Sequence, residues 1–327
     1  MRVLVTGGAG FIGSHLVDRL LADGHTVTVI DNLSVGTIGN LSHHLGDERF
    51  HFVCDTILNE TSLERLIRKS DQVYHLAAVV GVKYVVEDPL GGILTNVRGT
   101  ENVLQLAYRY WVPTLIASSS EIYGKSTAVP LGEDDDRLLG PTSVGRWSYS
   151  DSKAIDEYFA FAYARKGLPV TVVRYFNIYG ARLDPRGYGS VIAKFITQSR
   201  QGGPLTLYGN GRQTRCYTYI TDAIEGTVRA ANTPAAVGLA FNIGSDRETS
   251  VLELGEMIRD RVNPQVPIEF TSYERVYGVP FEETQRRVPA VERAARILGF
   301  RAIVPLEEGL QRTIAWFEES SGCRQLD

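Results

Sequence analysis

The stretch Thr6-Gly7-Gly8-Ala9-Gly10-Phe11-Ile12-Gly13 constrains this chain more than any other. It follows a short apolar run, Val3-Leu4-Val5, and precedes a segment whose Ile12, Leu16, Leu20 and Leu21 share one helical face. Glycines at Gly7, Gly10 and Gly13 let a strand turn tightly, approach a pyrophosphate and pack against the helix that follows. The helix N-terminus then offers unpaired N–H groups and a positive dipole end to that anion. A second strand, His25-Thr26-Val27-Thr28-Val29-Ile30, ends in Asp31. That is the position for the acid that holds a ribose 2′-hydroxyl. A carboxylate there repels a 2′-phosphate, so the expected dinucleotide is NAD rather than NADP.

The 327 residues suffice for one large or two interlocked domains. A formal net charge of −4 gives no global reason to expect nucleic acid or an anionic membrane as partner. Cys54, Cys216 and Cys323 stand far apart with no Cys-x-x-Cys, so neither a metal site nor a disulfide framework is expected. The glycine loop begins too close to Met1 to leave room for a signal peptide, and no apolar run is long enough for a bilayer. The expectation is a cytoplasmic enzyme.

Candidate strands fall at 2–6, 25–31, 50–54, 72–76, 113–118 and 169–174, with helices after most of them. This alternation predicts an α/β fold with a Rossmann-type, doubly wound parallel sheet. Beyond residue 177 glycine and proline become frequent. Helices are expected near 188–201, 221–231, 250–262, 290–298 and 306–319. Ala240-Phe241-Asn242-Ile243-Gly244 reads as one more buried strand. The division is therefore 1–176 plus about 217–244 for the dinucleotide, and 177–216 plus 245–327 for a smaller, discontinuous C-terminal α/β substrate domain.

Tyr149 and Lys153 are four apart, which on a helix places both on one face. An ammonium beside a phenol favours the phenolate. Such a tyrosine can take a hydroxyl proton while hydride leaves for a nicotinamide. Ser118-Ser119-Ser120-Glu121 follows the strand Thr114-Leu115-Ile116-Ala117, at a carboxyl end where substrate is expected. Ser119 suits donation to the substrate oxygen, and Glu121 is a carboxylate that needs solvent or a partner there.

The glycine pattern, Asp31, His75-Leu76-Ala77-Ala78, Asn96, Ser119, Tyr149, Lys153 and Arg174-Tyr175-Phe176-Asn177-Ile178-Tyr179-Gly180 resemble the extended short-chain dehydrogenase/reductase superfamily. Within it the chain is similar to UDP-glucuronate decarboxylases. Ser119-Ser120-Glu121, Arg146-Trp147-Ser148-Tyr149, Gly180-Ala181-Arg182-Leu183-Asp184, Gln213-Thr214-Arg215-Cys216-Tyr217-Thr218 and Arg287-Val288-Pro289 carry that likeness. Ala181 and Ala290 depart from it, standing where proline and aspartate are usual.

The resemblance implies an NAD site of Gly7, Gly10, Phe11, Ile12, Gly13, Asp31, Asn32, Asp55, Leu76, Ala77, Ala78, Asn96, Tyr149 and Lys153. It implies catalytic roles for Tyr149, Lys153, Ser119, Ser120, Glu121 and Arg287. It also implies substrate contacts from Tyr84, Asn177, Arg182, Leu205, Tyr208, Arg212, Arg215 and Arg287. The implied chemistry is oxidation at sugar carbon 4, loss of CO2 from the β-keto acid, and partial or full re-reduction. A UDP-glucuronate 4-epimerase and a nucleotide-sugar 4,6-dehydratase share the tyrosine and lysine. Glu121 argues against the first, and Asp31 with Ser120 against forms of the second. A non-catalytic NAD sensor would not need Ser119, Tyr149 and Lys153 together. The family expectation is also a homodimer formed through helices near 97–110 and 150–165.

Overall fold

The computed structural model describes residues 1–80, 88–186, 189–277 and 282–322. Tyr84 and Cys323 lie outside these residues.

Strand β1 (Arg2–Thr6) carries Val3, Leu4 and Val5 on consecutive positions, and all three are buried. A strand apolar on both faces belongs in a sheet covered on both sides. Seven strands form that sheet, with the edge strand Phe50–Cys54 only partly buried. β2 (Thr26–Asp31) and β3 (Phe50–Cys54) lie to one side of β1, and β4 (Gln72–His75), β5 (Thr114–Ser119), β6 (Val170–Tyr175) and β11 (Ala240–Ile243) to the other. Every neighbouring pair is parallel. The order β11-β6-β5-β4-β1-β2-β3 reverses its direction of growth between β1 and β4, and a ligand crevice opens beyond the carboxyl ends there. Thr6, Asp31, His75 and Ser119 all stand at those ends.

The helix Phe11–Ala22 buries Leu16, Val17, Leu20 and Leu21 against the sheet. On the far side of the crevice the long helix Trp147–Arg165 carries Tyr149 and Lys153. A π-helical turn, Leu94–Arg98, leads into the helix Gly99–Tyr110.

The rest of the chain forms smaller sheets. β7 (Ile178–Tyr179) pairs with β10 (Thr218–Tyr219), and β8 (Leu205–Tyr208) with β13 (Ile268–Thr271). β9 (Thr214–Cys216) is flanked by β12 (Glu248–Ser250) and β14 (Arg286–Arg287). The helices Val191–Arg200, Ile220–Asn232, Val251–Val262 and Leu306–Gly322 occupy the expected places. The helix expected near 290–298 is present over 292–298, and its last five residues, Ala294–Leu298, are π-helical. Pro289 bridges Leu131, and the Ala290 N–H donates to Leu131, so the first part of that segment is held extended. Gly299, left-handed at φ +61°, then ends the turn. Among the described residues no helix is long and apolar enough to cross a membrane.

Candidate active site

The glycine loop is shaped by close backbone contact. Gly7 has φ +71°, and a Cβ there would lie 2.7 Å from the Ala77 nitrogen. A Cβ on Gly13 would lie 2.2 Å from the Gly7 carbonyl oxygen. Only hydrogen fits at either position. Gly10 precedes the helix without a side-chain cap, and Phe11 and Ile12 form its first turn. The first amides of that helix thus remain available to an anion.

Asp31 binds the same loop. Its carboxylate accepts from the Ala9 N–H at 2.9 Å and the Leu33 N–H at 2.8 Å. Burial raises its pKa and these two donors pull it back. Each oxygen keeps a further lone pair for a ribose hydroxyl. The Ala9 carbonyl accepts from the Thr37 N–H and the Asn40 amide, contacts that no motif announces. Asn32 accepts from the Ser34 N–H, and Asp55 from the Thr56 N–H and the Asn59 amide.

Beyond β4, Leu76 donates to the Thr6 carbonyl and Ala77 to the Thr6 hydroxyl, and Ala78 follows half-buried. His75 lies between the Thr6 hydroxyl at 2.7 Å and the Thr100 hydroxyl at 3.0 Å. Burial, aided by the Lys153 charge, drives this imidazole down to about 3, so it is neutral. Asn96 is buried in the π-helical turn. Its amide accepts from the Val79 N–H at 2.8 Å and donates to the Ser152 hydroxyl at 3.1 Å. It thus ties the segment after β4 to the helix of Tyr149. A cradle that excludes Cβ atoms, a helix N-terminus and an acid at the end of β2 together fit a dinucleotide.

Across the crevice, Tyr149 hydrogen-bonds Ser119 and faces Lys153. Burial pushes the phenol up, while Lys153 and Ser119 oppose it; without ligand, burial prevails. Lys153 is buried and donates to Asp156 Oδ2 at 3.1 Å. The Ser119 hydroxyl accepts from the Glu121 N–H, and Ser120 is buried beside it.

Glu121 enters a cluster of partly buried charge. Its Oε1 accepts from Arg287 at 2.7 Å, and its Oε2 lies 3.6 Å from Arg146. Arg146 also meets Glu283 at 3.2 Å, and Glu283 takes Arg215 at 2.8 Å. Three guanidiniums face two carboxylates, so one positive charge is in excess. Burial alone would raise the Glu121 carboxyl. Arg287, Arg146 and Arg215 more than offset that and hold it at about 2. Arg215 is itself lowered, first by burial and then by Arg287, against the pull of Glu283.

The remaining predicted contacts are scattered. Asn177, at φ +44°, donates to the Cys216 carbonyl and so holds a turn. Arg182 pairs with Asp18 of the helix Phe11–Ala22 at 2.7 Å. The other Asp18 oxygen lies 2.8 and 2.7 Å from His43 and His44, but the guanidinium makes this trio a poor seat for a cation. The Leu205 side chain is wholly buried in the core. Tyr208 is half-buried, with Lys194 Nζ 3.7 Å from its ring centre. Arg212 is exposed.

Residues 3–244 match the NAD dependent epimerase/dehydratase family. The chain belongs to this family. NAD is its dinucleotide, and related structures were solved with NAD bound. The chain is 43% identical over 318 residues to a UDP-N-acetyl-alpha-D-glucosaminuronate decarboxylase of Bacillus cytotoxicus, covering 97% of this chain and 98% of that one. It is 37% identical to UDP-glucuronic acid decarboxylase 1 of Danio rerio, over 97% of this chain and 72% of that one. A UDP-glucuronic acid 4-epimerase from Bacillus cereus, solved with UDP-glucuronic acid and NAD, superposes with TM-score 0.88 at 30% identity. That match covers 98% of this chain and all (100%) of that one.

Within this epimerase/dehydratase chain, Arg146, Glu283 and Asp156 join the predicted residues in space although sequence reasoning left them out of the site. Arg146 stands three residues before Tyr149, and Asp156 three after Lys153 on the same helix. Those spacings were the available signals. Nothing in the sequence singled out Glu283.

Proposed function

We propose that the chain is an NAD-dependent UDP-uronate decarboxylase, acting on UDP-glucuronate. The supporting observation is Glu121, paired to Arg287 within an arginine-rich cluster next to Ser119 and Tyr149. The decarboxylase names of full-length relatives agree with it.

The NAD that fits the cradle supplies the hydride acceptor for sugar carbon 4. Tyr149 takes the proton of the carbon-4 hydroxyl, and the Lys153 ammonium stabilises the phenolate it must become. The resulting ketone is β to the carboxylate on carbon 5. The bond from carbon 5 to the carboxylate then breaks, its electrons forming an enolate whose oxygen accepts from Ser119 and Tyr149. Glu121, held at about 2, is a carboxylate at working pH and orients rather than protonates. Arg287 faces the substrate carboxylate, and Arg215 the diphosphate, where forked donors match the oxygens. A proton from water must then reach carbon 5 to give the UDP-4-keto-pentose, which can escape. Return of the hydride to carbon 4, with Tyr149 returning its proton to the oxygen, gives UDP-xylose.

The substrate domain of this reading is 177–216 plus 245–327. A homodimer would form through Gly99–Tyr110 and Trp147–Arg165, where Ile155 and Tyr158 are exposed apolar side chains.

Proton NMR of the purified protein with NAD and UDP-glucuronate, with CO2 followed in parallel, tests the proposal. UDP-N-acetylglucosaminuronate serves as a second substrate. CO2 with UDP-xylose or the keto-pentose is the expected result. UDP-galacturonate without CO2 would overturn it in favour of a 4-epimerase.

A further inference from the structure

Lys153 is 4% and Asp156 0% exposed at the side chain, and their contact is 3.1 Å. On the helix Trp147–Arg165, Lys153 stands one turn and Asp156 two turns beyond Tyr149, so all three share a face. A buried ammonium without a counter-charge sheds its proton. The groups around Lys153 leave few sources for that charge. On its own helix Glu157 is engaged by both forks of Arg174 from β6, at 2.9 and 2.7 Å. Arg174 also donates to the Tyr123 hydroxyl. From β4, His75 is neutral and fixed between Thr6 and Thr100. From the helix Gly99–Tyr110, Thr100 faces the Asp156 carboxyl as an uncharged hydroxyl. From the end of β5 come Ser119 and, acting on Tyr149, Glu121 with its arginines. Among the described residues Asp156 makes the one carboxylate contact to Lys153.

We propose that Asp156 is a positioning residue for the Tyr149–Lys153 pair. It holds the Lys153 ammonium in place and charged, without touching substrate. The inference rests on the reading of Tyr149 and Lys153 as the proton-handling pair. Its consequence lies in pH dependence. Asp156 keeps Lys153 protonated to higher pH, and its charge also works against the Tyr149 phenolate from a distance. Its neutralisation therefore moves both limbs of the pH–rate profile to lower pH. The alkaline limb moves further, because Lys153 is the group in contact.

The test is the pH dependence of kcat and kcat/KM for UDP-glucuronate with Asp156→Asn, Asp156→Glu and Tyr149→Phe, each checked by circular dichroism and NAD titration. The expected D156N protein binds NAD normally and has its alkaline limb lowered by about one unit, with a smaller downward move of the acid limb. D156E, which keeps the carboxylate on the same helix face, restores most of both. A D156N profile of wild-type shape overturns the inference, whether or not kcat has fallen. Should D156N not fold, D156E carries the test: a retained alkaline limb supports the role and a lost one overturns it. Absent turnover by the wild-type protein, or full activity in Y149F, would instead overturn the proposed function itself.

Discussion

The two walls of the crevice solve their recognition problems by different means. The glycine loop is built from backbone: its shape follows from hydrogens at Gly7 and Gly13 and from main-chain bonds to Asp31 and Thr6. The opposite wall is built from side-chain charge, with Glu121, Glu283, Arg146, Arg215 and Arg287 drawn from four separate stretches of chain. A backbone cradle fixes where a common cofactor lies. In the proposed function the charge cluster selects the anionic sugar. The first is local in sequence, and the second exists only once the chain has folded.

Substitutions on each wall sharpen that contrast. Tyr149→Phe, between the two, is expected to lower kcat by about 10³-fold with little change in NAD or UDP affinity, measured by steady-state kinetics and titration. Comparable turnover in Y149F would remove the proton-transfer role. On the charged wall, Glu121→Gln should cost about 10²-fold in kcat while NAD still binds, because three guanidiniums then outnumber a single carboxylate. On the backbone wall, Gly13→Ala should weaken NAD by about 10- to 100-fold and leave UDP binding nearly unchanged, as fluorescence titration would show. Parallel losses of NAD and UDP in either variant would mean the walls are not separable. Arg215→Ala should raise KM by about tenfold, whereas exposed Arg212→Ala should stay within about twofold.

The charged wall also predicts a response to acid. Glu121 sits at about 2, against an ordinary 4.5. Its contribution to stability is full above the ordinary value and disappears as pH falls toward the lower one. Urea unfolding from about pH 5 to about pH 3 should therefore lose stability more steeply in the wild type than in E121Q.

Legibility in the sequence follows the same division. The six main strands begin and end within a residue of their expected limits, because runs such as Val3-Leu4-Val5 can only be buried on both faces. The strand at Ala240–Ile243 was readable for the same reason, and it lies against β6. Tyr149 and Lys153 were legible because one helix carries both. Glu283 was not, because its meaning comes from Arg146 and Arg215, both more than 60 residues away in the chain. Leu205 was read through resemblance as a substrate contact, but its side chain faces the core. The helix expected near 290–298 begins only at residue 292, because Pro289 and Ala290 pair with Leu131 first.

His75 has a consequence for how the molecule responds to its surroundings. An imidazole that stays neutral down to about 3 keeps one fixed pattern of donor and acceptor between Thr6 and Thr100. The end of β4 therefore keeps the same hydrogen bonds to β1 and to the helix Gly99–Tyr110 when the acidity around the molecule changes.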